Sequence, residues 1–149
     1  MGKKAPKWAP SRKELEKILG VDNVHELFLV GQVCIERMVE KILEKKFNIP
    51  SEVLDDGQFL WYQKHLILEK SGDLKGKVKK NVGLINSIRT RYAHRLNPNE
   101  QYIRSLINKL VIIDAPVGAE SRARAGTKFE RYRVCVISTF SALEKVLRS

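Results

Sequence analysis

Cysteine is scarce in this 149-residue sequence, which limits the kinds of site that it can build. The two cysteines, Cys34 and Cys135, lie in separate apolar stretches with no histidine or second cysteine at metal-ligand spacing. Isolated cysteines of this kind are typically buried and reduced. The sequence also has no internal repeat and no glycine-rich phosphate loop. We therefore predict no metal site and no cofactor.

Long apolar runs are also missing. No stretch approaches the roughly 20 residues that a membrane-spanning helix needs, and no signal-peptide pattern is recognisable. A hydrophobic content of 43% with 30% charged residues is typical of a soluble globular protein, and the length suits one domain. The sequence predicts a cytoplasmic protein without a membrane partner.

Acidic residues are few relative to basic ones: 17 Asp and Glu against 28 Lys and Arg, for a net charge of +11. The imbalance is uneven, because residues 21–60 carry a net charge of −4. Four other segments each carry a net charge of +4: residues 1–20, 61–80, 86–109 and 120–149. Such clustering indicates a polyanionic partner, by default RNA or DNA. A basic surface without a specific partner is the alternative, and charge alone does not exclude it.

Apolar residues recur at helical spacing along most of the chain. Six helical segments are predicted, over residues 11–19, 22–47, 59–71, 73–97, 99–113 and 129–147. Residues 48–57 are predicted to be a turn-rich connection, because Pro50 and Gly57 interrupt them. The run 134–139 favours a strand by composition, whereas the length and charged end of its segment favour a helix.

These patterns predict an all-α fold: a single-domain bundle of five to six helices over residues 11–149. A flexible basic segment at 1–10 precedes it, and a mobile loop is expected at 114–127. Within the bundle, Glu36 and Glu40 are predicted to face solvent, and Asp73 to cap the fourth helix.

The end of the fourth predicted helix, residues 87–98, concentrates three arginines and a histidine. Pro98 disfavours helical geometry at Asn97, so the helix should end there with His94 in or near its last turn. At about 100° per residue, Arg89 lies at the edge of the apolar stripe, whereas His94 points away from it, about 140° from Arg89. Both residues are placed to meet a ligand or another subunit.

The string Ile88-Arg89-Thr90-Arg91-Tyr92-Ala93-His94 resembles the I-R-N-x-[FY]-A-H signature of the HEPN superfamily. The resemblance covers roughly residues 22–113 and is closest to the mannitol-operon-repressor-like branch. It implies an HEPN-like bundle that forms a homodimer through the motif helix. Most members carry Asn, Asp or His after the arginine, where this chain has Thr90.

The resemblance also implies a function, that of a metal-independent endoribonuclease in which Arg89 and His94 are catalytic. Histidine would move the proton of a ribose 2′-hydroxyl and arginine would stabilise the phosphate, leaving a 2′,3′-cyclic phosphate. A toxin, defence or RNA-processing role would fit this activity, with an antitoxin or regulatory protein as a further partner. Toxins paired with nucleotidyltransferase antitoxins have a tyrosine at the position of Leu96, so that control mechanism is not supported. Many HEPN domains are inactive, and a non-catalytic dimer that binds nucleic acid or a protein is the alternative.

RNA is the expected ligand, and basic residues should hold its backbone. The candidates for this role are Arg91, Arg95, Lys75, Lys79, Lys80, Arg122 and Arg124. Thr90 and Asn97 are candidate supporting residues. His25 is predicted to be a surface or packing residue, and Tyr92 a core residue. A separate cluster either stacks on bases or belongs to the core or a dimer interface; it comprises Trp61, Tyr62 and His65.

Overall fold

The computed structural model describes most of the chain, in five pieces: Leu15, Gly20 and residues 22–94, 99–114 and 126–149. The described residues contain six α-helices and no strand, which confirms the all-α prediction for this part of the chain. The basic segment 1–10 lies outside the described residues, as does most of the predicted loop 114–127. Of the predicted first helix, Leu15 alone is described, and it is helical and fully buried.

The helices are α1 (Val24–Phe47), α2 (Ser51–Leu54), α3 (Trp61–Lys70), α4 (Gly76–His94), α5 (Glu100–Ile107) and α6 (Lys128–Arg148). Three of these helices are preceded by a capping residue with a short polar side chain. The side-chain oxygens of Asn23, Asn99 and Thr127 accept hydrogen bonds from the backbone N–H three residues later, at the starts of α1, α5 and α6. These caps satisfy donors that have no partner within the helix, so each helix starts where its cap residue stands.

Helices α1 and α6 run parallel through the centre of the bundle. Phe28 and Tyr132 lie 6.5 Å apart near their starting ends, and Lys45 donates to the carbonyl of Leu147 near their far ends. Helix α4 runs antiparallel to both, because its Tyr92 stacks on His25 in the first turn of α1. The run 134–139 is helical, since α6 buries residues at helical spacing against α1.

A buried polar network joins α4, α6 and the segment after α5. Asn81 is fully buried, and its Nδ2 donates to the carbonyl of Val111 (2.6 Å) and to Thr139 Oγ1 (3.0 Å). Its Oδ1 accepts from the N–H of Val111 (3.2 Å). The predicted fifth helix through Ile113 is therefore too long, because α5 ends at Ile107. The backbone N–H and carbonyl of Val111 form hydrogen bonds with the Asn81 side chain instead of with helical partners.

Three further expectations are corrected by the structure. Glu40 does not face solvent freely, because it lies 2.8 Å from Nζ of Lys64, a lysine that is only 4% exposed. Asp73 accepts from Ser71 Oγ and Lys46 Nζ, and α4 begins three residues later at Gly76. The predicted connection 48–57 contains the single helical turn α2.

Candidate functional site

The candidate site lies at the end of α4, which is helical without interruption from Gly76 to His94. His94 is the last residue of α4 that the structure describes, five positions after Arg89. Arg95 and Asn97 lie outside the described residues, as do Arg122 and Arg124.

Arg89 lies in the contact between α1 and α4. Two contacts between these helices bracket it: Gln32 Nε2 donates to Asn86 Oδ1 (3.2 Å) three residues before it, and His25 stacks on Tyr92 three residues after it. The direction of Arg89 on the helix is midway between those of Asn86 and Tyr92, so its side chain leaves α4 toward α1.

The Arg89 side chain is partly buried, and its Nε is buried with no hydrogen-bond partner. Oε1 of Gln32, in the same helix contact, is also buried without a partner. A buried donor left unpaired costs about 1–3 kcal/mol, and a guanidinium offers four further N–H donors in one plane. No carboxylate in the described part of the chain forms an ion pair with Arg89.

Thr90 uses its hydroxyl within its own helix. Its Oγ1 donates to the backbone carbonyl of Asn86 at 2.8 Å. A hydroxyl has one proton to donate, so while this bond persists Thr90 can only accept a hydrogen bond from a ligand or neighbour. The predicted supporting role is therefore restricted to that of an acceptor.

Arg91 and Tyr92 lie on different sides of α4, and each packs against a planar side chain. The guanidinium carbon of Arg91 lies 4.7 Å from the centre of the Tyr102 ring on α5, a cation–π geometry. The rings of Tyr92 and His25 are 4.5 Å apart and nearly parallel, at 22°. Burial raises the pKa of the Tyr92 hydroxyl, with a smaller contribution from Glu100, so it stays protonated at neutral pH.

The lysines at the start of α4 are distant from the motif. Lys75 and Arg89 are 14 residues apart, which is about 21 Å along a helix. Lys75 and Lys80 are exposed, whereas Lys79 Nζ lies 2.6 Å from Glu69 and is partly neutralised by it. The hydrogen bond from Lys79 lowers the pKa of the Glu69 carboxyl, so this pair is present at neutral pH.

The cluster of Trp61, Tyr62 and His65 is not part of the motif region. It lies on α3, where Glu69 contacts both His65 and Lys79 near the start of α4. The Trp61 and His65 rings are 5.9 Å apart, and Tyr62 is 69% exposed.

Sequence reasoning missed two residues that the fold brings to the motif, His25 and Tyr102. The sequence predicts a surface or packing role for His25. Both descriptions apply, because His25 is exposed and its ring stacks on Tyr92. The antiparallel packing of two long helices, α1 and α4, is the signal that would have placed the first turn of one beside the last turn of the other. Tyr92 itself is only partly buried, against the edge of the core.

Among the described residues, no helix is long and apolar enough to cross a membrane. No group of three or more His, Cys, Asp or Glu side chains within them is arranged to hold a metal ion.

Comparison with known proteins identifies no relative. No protein-family model, no curated protein and no solved structure matches the chain. The resemblance to HEPN proteins therefore depends on the motif residues themselves.

Proposed function

We propose that the protein is a metal-independent endoribonuclease of the HEPN type, with Arg89 and His94 as its catalytic residues. The observation that carries the proposal is the Arg89 guanidinium, whose Nε is buried and unpartnered beside the helix end that bears His94. A phosphate at the terminal nitrogens of this guanidinium would be held by its charge and by their N–H donors.

The chemistry requires a proton carrier and a fixed cation. His94 takes the proton of a ribose 2′-hydroxyl, whose oxygen attacks the adjacent phosphorus. The bond from phosphorus to the 5′-oxygen breaks, leaving a 2′,3′-cyclic phosphate and a 5′-hydroxyl that receives a proton. Arg89 stabilises the additional negative charge on the phosphate oxygens during this step. Histidine suits the proton transfer because its ordinary pKa is near neutrality.

A homodimer through the motif helix completes the proposed site. One phosphate is poorly served by an arginine and a histidine that leave one helix about 140° apart. Two copies of α4 related by a two-fold axis would place both arginines and both histidines in one cleft. Each cleavage would then use Arg89 of one chain and His94 of the other.

A non-catalytic RNA-binding module is the second candidate, and the Thr90 bond favours it. The Thr90 hydroxyl donates to the Asn86 carbonyl, so it does not supply the donor that an Asn or His side chain would offer at this position. Such a module would bind RNA or a regulatory partner through the same basic surface without cutting.

Cleavage of labelled single-stranded RNA in excess chelator tests the proposal. Wild-type protein should cut it, because the step uses a proton carrier and a guanidinium from the chain itself. Arg89→Gln and His94→Gln should each lower the rate by about 100-fold or more. Replacing the attacking 2′-hydroxyl with hydrogen at every position should abolish cleavage.

Matched controls are Arg148→Gln and His65→Gln. Arg148 is at the far end of α6 and 77% of its side chain is exposed; His65 is on α3. Both variants should cut at the wild-type rate when purified identically. Intact RNA with wild-type protein at several pH values would overturn the nuclease and favour the binding module. Full activity in Arg89→Gln and His94→Gln would place the active site elsewhere.

A further inference from the structure

Two planar pairs flank the end of α4, and neither is explained by core packing. His25 stacks on Tyr92 between α1 and α4, and Arg91 stacks on Tyr102 between α4 and α5. Buried aromatic pairs in a helical bundle normally contribute to the core. Here His25 is exposed and Tyr102 is 43% exposed, so each pair has a member open to solvent.

Each stack has a ring that is open to solvent. The imidazole of His25 lies over Tyr92, with 4.5 Å between the ring centroids and 22° between the ring planes, and His25 is exposed. Tyr102 lies against the Arg91 guanidinium and is 43% exposed. Each ring therefore has exposed surface for a further planar group to contact.

The charge around these rings favours an anionic ligand. Arg89, Arg91 and Arg104 belong to the segment 86–109, which carries a net charge of +4. Exposed apolar or aromatic surface beside positive charge fits nucleotides, because a base stacks on the ring while its phosphate meets the cation.

We propose that this end of the bundle binds single-stranded RNA by stacking, with one base on His25 and another on Tyr102. The inference rests on the proposed function, because the stacked bases belong to the RNA whose phosphate contacts Arg89. Arg91 and Tyr92 leave α4 about 100° apart and pack against different helices, so a base on His25 and a base on Tyr102 do not stack on each other. Duplex RNA keeps its bases stacked and paired, and it therefore cannot use this surface.

Fluorescence anisotropy with wild-type protein and labelled 2′-O-methyl RNA tests the proposal without cleavage, because the attacking hydroxyl is blocked. Three 12-nucleotide probes are compared: a single strand, the same strand in a duplex, and an abasic strand with the same number of phosphates. The single strand should bind at least tenfold more tightly than the abasic strand and more tightly than the duplex. His25→Ala and Tyr102→Ala should each weaken binding of the single strand by about five- to 100-fold, with little effect on the abasic strand.

Further variants separate stacking from charge and from folding. His25→Phe keeps a stacking ring and should retain most of the affinity that His25→Ala loses. Tyr62→Ala removes a tyrosine on α3 that is more exposed than Tyr102 (69% against 43%) and should leave binding unchanged. Circular dichroism of every variant should match wild type.

The outcomes distinguish this inference from the proposed function. If wild type does not prefer bases over abasic phosphates, or if the double variant His25→Ala/Tyr102→Ala keeps that preference, the stacking surface is wrong even when RNA is cut. If the preference is present and disappears in the double variant, the stacking surface stands even when no RNA is cut. No binding of any probe overturns it.

Discussion

Single side chains in this protein bury polar atoms that no neighbour satisfies. Arg89 Nε is one, and His65 Nε2 is another. Buried polar atoms are nearly always hydrogen-bonded in folded proteins, so each exception carries either a cost or a function. Arg89 belongs to the candidate site, and we assign its guanidinium to a phosphate. His65 lies on α3, and we expect its burial to make stability depend on pH.

Stability should fall in mild acid because of His65. Burial lowers the pKa of this imidazole below its ordinary value of 6.5, with opposing attraction from Glu69 and a smaller repulsion from Lys79. Below about pH 6.5 the unfolded chain therefore binds a proton that the folded chain resists, and the free energy of unfolding decreases until the folded pKa is passed. Urea unfolding of wild type at pH 7.5 and 5.5 should show this loss.

The comparison variant for that measurement is His65→Gln. Removing His65 should reduce the loss between the two pH values, whatever it does to stability at pH 7.5. Equal losses in wild type and His65→Gln would show that another group titrates in this range.

At the scale of elements, the helix ends are set partly by side chains distant in sequence. Helix α5 stops at Ile107 although apolar residues continue at helical spacing to Ile113. Asn81, 30 residues earlier in the chain, binds both backbone groups of Val111. These hydrogen bonds hold the segment after α5 against α4. The same amide also donates to Thr139 Oγ1, which links it to α6.

Loss of the Asn81 amide should destabilise the fold more than an exposed amide does. Asn81→Ala leaves the N–H and carbonyl of Val111 without their partner, and we expect a decrease of about 2–4 kcal/mol in the free energy of unfolding. Asn108→Ala, at an exposed position at the end of α5, should change it by less than about 0.5 kcal/mol. Urea unfolding at pH 7.5 measures both, and equal effects would mean that the network adds no net stability.

At the scale of the whole molecule, negative and positive charge are concentrated in different segments of the chain. Residues 21–60, which include α1, carry a net charge of −4, and the flanking segments carry the positive excess. A net charge of +11 also opposes self-association at low salt. The proposed homodimer must therefore gain from contacts along α4 and from a shared anion.

Mixing two inactive variants tests whether two chains share one site. Co-refolded Arg89→Gln and His94→Gln should form mixed dimers in which one chain has an intact arginine and the other an intact histidine. One shared site would then be complete, and the mixture should regain part of the RNA cleavage. The same mixture without refolding should recover more slowly, because chains exchange only after dissociation.

Wild type taken through the same refolding is the control for that experiment. If wild type recovers its activity and the mixture stays inactive, each site lies within one chain. A protein that remains monomeric in sedimentation experiments at the assay concentration would also contradict the shared site.

Local patterns in the sequence determined the helices and the geometry of the motif. The starts at Asn23 and Asn99 could be predicted to within one residue, because a cap acts on N–H groups within three residues. The separation of about 140° between Arg89 and His94 stays a prediction, made from helical geometry alone. Glu40 was misplaced by the same reasoning, since its partner Lys64 is 24 residues away.

Only the tertiary structure decided the surroundings of that motif. The burial of Arg89 Nε, the His25–Tyr92 stack and the Arg91–Tyr102 contact all depend on how α1 and α5 pack on α4. Packing depends on the summed shape and burial of whole helix faces, a property that no short window of sequence contains. Residue types alone therefore predicted which side chains could act, whereas packing determined which of them meet.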